Sequence, residues 1–354
     1  MRITVAILAI LHASTSASSS SDFKFTEYDE GSSNPMFNFV KHFGGGNATF
    51  TKMTGRFHFG DKQDTDQTFF ATYWAPGKRP MIQPRNINAL IFVVHGYAEY
   101  LSNDYDEIAR HWSQQVGGGA LVFGHDHAGH GRTTVGKRAL ITDMRDFTGP
   151  IIAHVKEMQK LTERADKKLP VFIAGHSMGG LISLNTILEQ PELFNGFIGI
   201  GPLVKISPSA MTPAKMFAAK FLAKFWPSFG HPLIGGINIE LITRNEAQWE
   251  IMENDPLRYH GGTKAGMAWL MMKETEKLQK NLDRIELPIL VLQGGSDQIL
   301  DPEGARMLYK NASSSDKEYK EYPGAYHQLL VELKDVRVDV IERTTKWLND
   351  RIIL

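Results

Sequence analysis

The chain of 354 residues carries 39 basic and 39 acidic side chains, a formal net charge of zero with histidine neutral, and no cysteine. The balanced charge argues against a nucleic-acid-binding protein, which needs a basic surface, and the missing cysteines exclude disulfides, thiolate nucleophiles and cysteine zinc sites. With 42% hydrophobic residues, the composition is that of a globular protein with a substantial core.

The first residues are typical of a secretory signal peptide, which we assign to residues 1–20. Arg2 precedes the apolar run 3–11, and small residues at 15–17 offer a cleavage site. The run is about half the length that a membrane-spanning helix needs, so a cleaved leader is favoured and a signal anchor is the alternative. We therefore expect a secreted or lumenal protein, with peripheral contact to membranes.

Two N-glycosylation sequons accompany this leader, at Asn47 and Asn311. Each asparagine is followed by alanine and then by threonine or serine, the pattern that is modified in the lumen of the secretory pathway. Because such short patterns also arise by chance, they lend the secretory assignment only modest support.

Residues 21–88 form an N-terminal segment in which one β-hairpin is predicted. Short β-rich runs at 57–59 and 68–74 are separated by a polar turn, as in a hairpin. The stretch 22–54 is rich in serine, glycine and asparagine, and no structure is predicted for it.

From residue 89 onward, nearly unbroken apolar runs alternate with amphipathic stretches. The strand candidates are residues 89–96, 120–126, 171–177, 197–202 and 289–294. The helix candidates between them are residues 104–115, 143–164 and 179–190. Strands this apolar are covered on both faces, so the alternation predicts an α/β fold with a mostly parallel, doubly wound sheet. We place this core in residues 89–203 and 285–354.

The interval 204–284 interrupts the alternation, and its pattern is mostly helical. An insertion of this size after a parallel strand is predicted to form a cap over the site. Within it Phe217, Phe221 and Phe225 recur at helical spacing. This stripe either packs onto the core or forms an apolar lid that touches a lipid or micelle surface and contributes to substrate binding, and both hold if it walls an acyl channel.

The strongest motif is GHSMG at residues 175–179, directly after an apolar strand and before a helical segment. In this context G-x-S-x-G is the pattern of a nucleophile elbow. The serine sits on a tight turn that needs small neighbours, and its hydroxyl lies at a helix N-terminus that favours a developing oxyanion. Ser177 is therefore the predicted nucleophile, and an ordinary turn opening a helix is the alternative.

A serine nucleophile needs a general base, and the base needs an orienting acid. In this architecture they follow the serine in the order acid, histidine. Asp297 comes just after the strand 289–294, whereas Asp301 precedes a proline in the manner of a helix N-cap. Asp297 is the predicted acid, and His327 is the predicted base because no other histidine lies beyond His260.

Two backbone N–H groups are predicted to form the oxyanion hole. One is the N–H of Met178, which immediately follows the nucleophile. The other is the N–H of Tyr97, in the loop that follows the first core strand.

The histidine-rich segment HDHAGHG at 125–131 is interpreted as a loop anchor rather than as a metal site. Its histidines lie on a strand end and a tight glycine turn, where several cannot converge on one ion. Asp126 and His130 are expected to hold loop amides beneath the site. No metal and no organic cofactor is predicted.

These segments together resemble the monoglyceride lipase family of the α/β-hydrolases, over roughly residues 86–350. The resemblance rests on LIFVVHGYAEY, LVFGHDHAGHGRT, LPVFIAGHSMGG, TRNEAQWEIMENDPL, LVLQGGSDQILD and YPGAYHQLLVEL. It assigns the nucleophile, acid and base to Ser177, Asp297 and His327, and the oxyanion donors to Tyr97 and Met178.

The resemblance implies a serine hydrolase that cleaves monoacylglycerols to fatty acid and glycerol through an acyl-enzyme. A lysophospholipase or a broad carboxylesterase would use the same catalytic residues, and a lipid-binding protein without activity is the non-enzymatic alternative. Better-known members have glycine in place of Ala98, carry cysteines around the pocket and lack a cleaved leader. The physiological substrate therefore does not transfer directly.

Overall fold

An eight-stranded sheet organises the described part of the chain. The computed structural model describes residues 50–59, 67–76, 86–101, 103–163, 165, 167–207, 212–230 and 236–352. The strands are β1 (Phe50–Phe59), β2 (Gln67–Pro76), β3 (Ala89–Val94), β4 (Ala120–His125), β5 (Val171–His176), β6 (Gly196–Ile200), β7 (Ile289–Gly294) and β8 (Lys317–Tyr322). Their order across the sheet is β1-β2-β4-β3-β5-β6-β7-β8. The hairpin β1–β2 is antiparallel and joins β4 antiparallel, and all pairs from β4 to β8 are parallel.

Helices follow most of the parallel strands. They are α1 (Asn103–Gln115), α2 (Arg145–Leu161), α3 (Met178–Glu189), α4 (Pro213–Phe225), α5 (Trp249–Glu253), α6 (Ala265–Gln279), α7 (Pro302–Asn311) and α8 (Lys334–Asn349). No helix in the described ranges is long and apolar enough to cross a lipid bilayer. The leader and the sequon at Asn47 lie outside the described residues, whereas Asn311 is exposed at the end of α7.

Strands β3 to β7 are buried along their whole length because an apolar cluster covers each face of the sheet. Along β3, for example, Leu90 and Phe92 belong to one cluster, while Ile91 and Val93 belong to the other. Successive side chains of a strand point to opposite faces, so a strand covered on both sides is apolar throughout. The predicted α/β class with a mostly parallel sheet is confirmed.

Several strands end earlier than the apolar runs indicate. The run 171–177 stops pairing at His176, and the run 197–202 begins at Gly196 and stops at Ile200. The cause is local backbone geometry, because Ser177 has φ of 53° and Gly201 has φ of 52°, outside the range of a β-strand. The chain therefore turns away from the sheet at these positions, at the edge where the site forms.

The segment between β6 and β7 is helical and contains α4, α5 and α6. Helix α6 packs on α3 and α4 packs on α6, so α6 connects the outer helix to the core. The inner side of α6 contributes Met267, Leu270 and Leu278 to the core cluster. In this way the inserted segment is seated directly above the helix that follows the GHSMG turn.

Candidate active site

Ser177 sits on a strained turn between β5 and α3. Its backbone, with φ of 53° and ψ of −122°, is rare for a residue with a side chain and costs roughly 1–3 kcal/mol. The two glycines are required sterically, since a Cβ on Gly175 would lie 2.4 Å from the Gly179 oxygen and one on Gly179 would lie 2.1 Å from the Val94 oxygen. The amide of Ser177 donates to the Ile200 carbonyl at 3.2 Å, which fixes the turn against β6.

Asp297 and His327 form a buried pair, with 2.7 Å between His327 Nδ1 and Asp297 Oδ2. The carboxylate is held from the other side as well. Its Oδ1 accepts hydrogen bonds from the Ile299 and Leu300 amides at 2.9 and 3.0 Å, and Gln293 Nε2 donates to Oδ2 at 3.0 Å. Asp297 is thus a fixed acceptor for one nitrogen of the histidine.

Asp301, the alternative candidate for the acid, caps a helix instead. Its side chain accepts a hydrogen bond from the Glu303 amide at 3.0 Å, with Pro302 at the first position of α7. It also pairs with Lys205 at 2.8 Å. The expectation that Asp301 is a helix N-cap is confirmed.

The surroundings of the pair favour a strong base. Burial alone raises the pKa of Asp297, but His327 and the amide donors outweigh it and hold that pKa below its usual value. For His327, burial lowers the pKa, yet the charge and hydrogen bond of Asp297 outweigh it and raise the pKa above the usual value. Because Nδ1 faces Asp297, the Nε2 lone pair is the one available to take a proton.

The loops that carry Ser177 and His327 converge on the turn after β6. A Cβ on Gly201 would lie 3.0 Å from the His327 oxygen, and Gly201 follows the residue that anchors the Ser177 amide. In addition, the imidazoles of His176 and His327 have centroids 4.9 Å apart. The structure therefore brings the three predicted catalytic residues to one edge of the sheet.

The loop of Tyr97 lies beside Ser177, since a Cβ on Gly96 would be 3.2 Å from Ser177 Cβ. Within it Ala98 has φ of 65°, a conformation that glycine adopts without the steric cost of a Cβ. The second expected donor, Met178, is the first residue of α3, where N–H groups have no partner within the helix. The role of both amides as oxyanion donors stays a prediction.

The segment 125–131 is tied to this loop, but not entirely as predicted. Asp126 accepts hydrogen bonds from the Leu101 amide at 3.0 Å and the Arg132 amide at 2.9 Å, as expected. The expectation for His130 is wrong, because its Nδ1 lies 2.9 Å from the Ala128 carbonyl, an acceptor, so that the ring donates a hydrogen bond there instead of holding an amide N–H. A further link that the sequence did not indicate is the His127 amide, which donates to His95 Nε2 at 2.9 Å.

Five histidines of this region are fully buried: His95, His125, His127, His130 and His154. Their rings pack against one another. The ring centroids of His95 and His127 lie 4.0 Å apart, and those of His125 and His154 lie 5.4 Å apart. Burial lowers the pKa of His130 to about 4 and that of His154 to about 3. Because burial lowers the pKa of all five, these rings are neutral packing and hydrogen-bonding groups. The side chains that the structure describes form no group of three or more potential metal ligands.

Sequence reasoning missed a second buried carboxylate, Glu99. Its Oε1 accepts hydrogen bonds from the Gly96 amide at 2.6 Å and the Tyr105 hydroxyl at 2.5 Å, and it contacts His176 Nδ1 at 2.9 Å. Burial raises the pKa of Glu99, but His176 and Arg258 outweigh it and hold that pKa below its usual value. Its only sequence signal is an acidic residue placed three positions after the glycine that ends a buried strand.

The aromatic stripe of the inserted segment lies on the outer side of α4. Phe217, Phe221 and Phe225 are 75%, 51% and 53% exposed, and the neighbouring Trp226 is 62% exposed. The interpretation that this stripe packs onto the core is therefore wrong, because the half-buried positions of α4 are Met216, Ala219, Leu222 and Ala223 instead. The contribution of the three phenylalanines to substrate binding stays a prediction.

Comparison with known proteins places this site in a family context. Residues 85–334 match the family model described as serine aminopeptidase, S33. The chain is 36% identical to the monoglyceride lipase of Homo sapiens over 285 residues, 80% of this chain and 88% of that protein. It is 32% identical to the monoglyceride lipase homolog of Monkeypox virus over 283 residues, 80% of this chain and 95% of the viral protein.

Solved structures show the same fold. A soluble variant of monoglyceride lipase from Saccharomyces cerevisiae, in complex with a substrate analog, has a TM-score of 0.68 at 24% identity and covers 84% of this chain and 96% of its own. The monoacylglycerol lipase of Paleococcus ferrophilus has a TM-score of 0.66 at 22% identity, with coverages of 80% and 99%. At identities below 25% these likenesses show the fold alone.

Proposed function

Because the chain belongs to the monoglyceride lipase family of the α/β-hydrolases, we propose that it hydrolyses the ester bond of monoacylglycerols to a free fatty acid and glycerol. The observation that carries the proposal is the buried pair of His327 and Asp297, 2.7 Å apart, beside the strained turn of Ser177. No feature of these residues calls for a metal or an organic cofactor.

The reaction proceeds in two steps through an acyl-enzyme. His327 takes the proton of the Ser177 hydroxyl, whose oxygen attacks the ester carbonyl, while Asp297 stabilises the imidazolium that forms. The amides of Tyr97 and Met178 bind the oxyanion, and His327 returns the proton to the departing glycerol. Water activated by His327 then releases the fatty acid.

A substrate panel tests the proposal against its nearest alternative. We expect the purified chain to hydrolyse 2-oleoylglycerol faster than lysophosphatidylcholine, because the glycerol leaving group carries no charge to desolvate. Release of oleate from both lipids is measured at equal concentration. Preference for the lysophospholipid would identify a lysophospholipase, equal rates a broad carboxylesterase, and binding without turnover a silent lipid-binding protein.

The exposed side of α4 is proposed to touch the membrane or micelle that holds the substrate. Large aromatic side chains at this exposure have apolar area that a lipid interface covers favourably, and Lys220 and Lys224 on the same helix suit anionic headgroups. Each methylene of the acyl chain that is buried contributes about 0.8 kcal/mol, so an apolar surface next to the site favours binding of the substrate.

Replacing Phe217 and Phe221 together by serine tests this contact. We expect kcat/KM for 2-oleoylglycerol in anionic vesicles to fall about tenfold, because roughly 1 kcal/mol or more of interfacial burial is lost. Hydrolysis of soluble p-nitrophenyl butyrate should stay within twofold of the parent chain. Tyr309→Ser, which removes another exposed aromatic ring on α7, is the matched control. An equal loss on both substrates would contradict the proposed contact.

A secretory route is proposed for the same chain. It is supported by the leader-like residues 1–20 and by Asn311, whose side chain is exposed in a sequon at the end of α7. The enzyme is then lumenal or secreted, cleaved after its leader, glycosylated at Asn311 and peripheral on membranes through α4.

A further inference from the structure

A buried ionic cluster joins the inserted segment to the loop of the oxyanion hole. Arg258, whose side chain is only 10% exposed, contacts Asp104 at the start of α1. Its guanidinium also lies 3.9 Å from Glu99 Oε2 and 4.0 Å from Asp255 Oδ2. Next to it the Tyr259 amide donates to the Ala98 carbonyl at 2.9 Å. The segment around Arg258 is therefore docked directly on the residues that follow Tyr97.

The cluster holds three carboxylates around one cation. The two other arginines nearby have other contacts, since Arg132 lies over the rings of Phe70 and Tyr100, and Arg138 donates to the carbonyls of Gly131 and Leu257. Burying a carboxylate without a partner costs several kcal/mol. The three buried carboxylates therefore require the positive charge of Arg258.

One of these carboxylates connects the three catalytic loops. Glu99 accepts from the amide of Gly96, the residue before Tyr97, and contacts the imidazole of His176, the residue before Ser177. Its Oε2 also accepts from Gln328 Nε2 at 3.4 Å, and Gln328 follows His327. A shift of this single carboxylate would move an oxyanion donor, the nucleophile and the base relative to one another.

We propose that Arg258 is a positioning residue, whose guanidinium holds the Glu99 carboxylate in place and so aligns the three catalytic loops. The inserted segment then does more than cover the site, because its docking through Arg258 completes the catalytic geometry. This inference rests on the proposed hydrolase function and extends it to a residue that touches neither substrate nor catalytic triad.

Removing the positive charge of Arg258 is expected to change the pH dependence of activity. The titratable and charged groups that face Glu99 are His95, Asp104, Tyr105, His130, His176, Arg258 and His327. Arg258 lowers the pKa of Glu99, so its removal moves that pKa upward. The charge of Glu99 also raises the pKa of His327, and without Arg258 that charge is no longer balanced. The base is then protonated, and activity is lost, at a higher pH than in the parent chain.

The experiment compares Arg258→Met, which keeps the volume and removes the charge, with Arg258→Lys and with the double variant Arg258→Met/Asp104→Asn. Arg284→Met, on an exposed arginine, is the matched control for loss of one positive charge. For p-nitrophenyl butyrate we expect the Met variant to lose about a hundredfold in kcat with KM within threefold, the size of effect that follows loss of one oxyanion donor. Its acid limb should move to higher pH.

Rescue separates positioning from mere folding. The Lys variant restores the charge and the double variant removes one excess carboxylate, so both should recover at least tenfold of the lost kcat. Parent kcat and an unmoved acid limb in a folded Met variant would overturn the inference, and so would a loss confined to KM. If the Met variant does not fold, Arg258→Gln, which also removes the charge, takes its place and is judged by the same two measurements.

The rate at which a fluorophosphonate labels Ser177 distinguishes failure of the inference from failure of the proposed function. A parent chain that is labelled but cleaves no monoacylglycerol contradicts the function, while the labelling rates of the variants still judge Arg258. Equal labelling of parent and Met variant overturns the positioning role. A parent chain that is neither labelled nor active overturns both.

Discussion

Ser177→Ala is expected to lower the turnover of 2-oleoylglycerol by at least about 10⁴-fold, because the alanine side chain has no oxygen to form the acyl-enzyme. Covalent labelling by a fluorophosphonate should disappear with it. The substitution keeps the backbone of the turn, and the variant should therefore melt at a temperature close to that of the parent.

The matched control is Ser296→Ala, which removes an exposed hydroxyl next to Asp297 and should leave both rate and labelling unchanged. Initial rates of oleate release and gel fluorescence measure the two readouts. Undiminished turnover by a folded Ser177→Ala enzyme would refute the serine mechanism.

The second large effect is expected for Asp297→Asn, which should lower kcat by about 10⁴-fold, since an amide neither orients the imidazole correctly nor stabilises the imidazolium. The substitution should also change the pH at which activity is lost on the acid side. Asp297 raises the pKa of His327, and the base works only when neutral, so the parent loses activity as pH falls through that raised pKa. In the Asn variant the remaining activity should persist to a lower pH.

Asp301→Asn is the matched control, since this neighbouring carboxylate caps α7 and asparagine caps helices about equally well. Its kcat and its acid limb should match those of the parent. The reverse outcome, an inactive Asp301 variant beside an active Asp297 variant, would show that the acid is assigned to the wrong residue.

The fold and the pair of Asp297 and His327 could be predicted because they depend on local patterns. Apolar runs of strand length indicate buried parallel strands, and a G-x-S-x-G turn directly after one of them is typical of a nucleophile elbow. Likewise Asp301 is recognisable as a cap from the proline that follows it. Each of these features is encoded in a short window of sequence.

Other features depend on contacts between distant segments. The pairing of Glu99 with Arg258 joins residues that no local pattern relates, and helical periodicity cannot say which side of α4 faces the core. The end of β6 follows from the positive φ of Gly201, which no local pattern indicates. Tertiary packing decides all of these.

The five buried histidines limit the pH range in which this protein stays folded. In the unfolded chain an imidazole gains its proton near its ordinary pKa of about 6.5, whereas burial keeps these rings neutral to far lower pH. Their contribution to folding stability is therefore fully present above pH 6.5 and is lost progressively as the medium acidifies toward the depressed values, about 4 for His130 and about 3 for His154. We therefore expect the protein to be stable near neutral pH and to unfold, and so lose activity, in a strongly acidic medium.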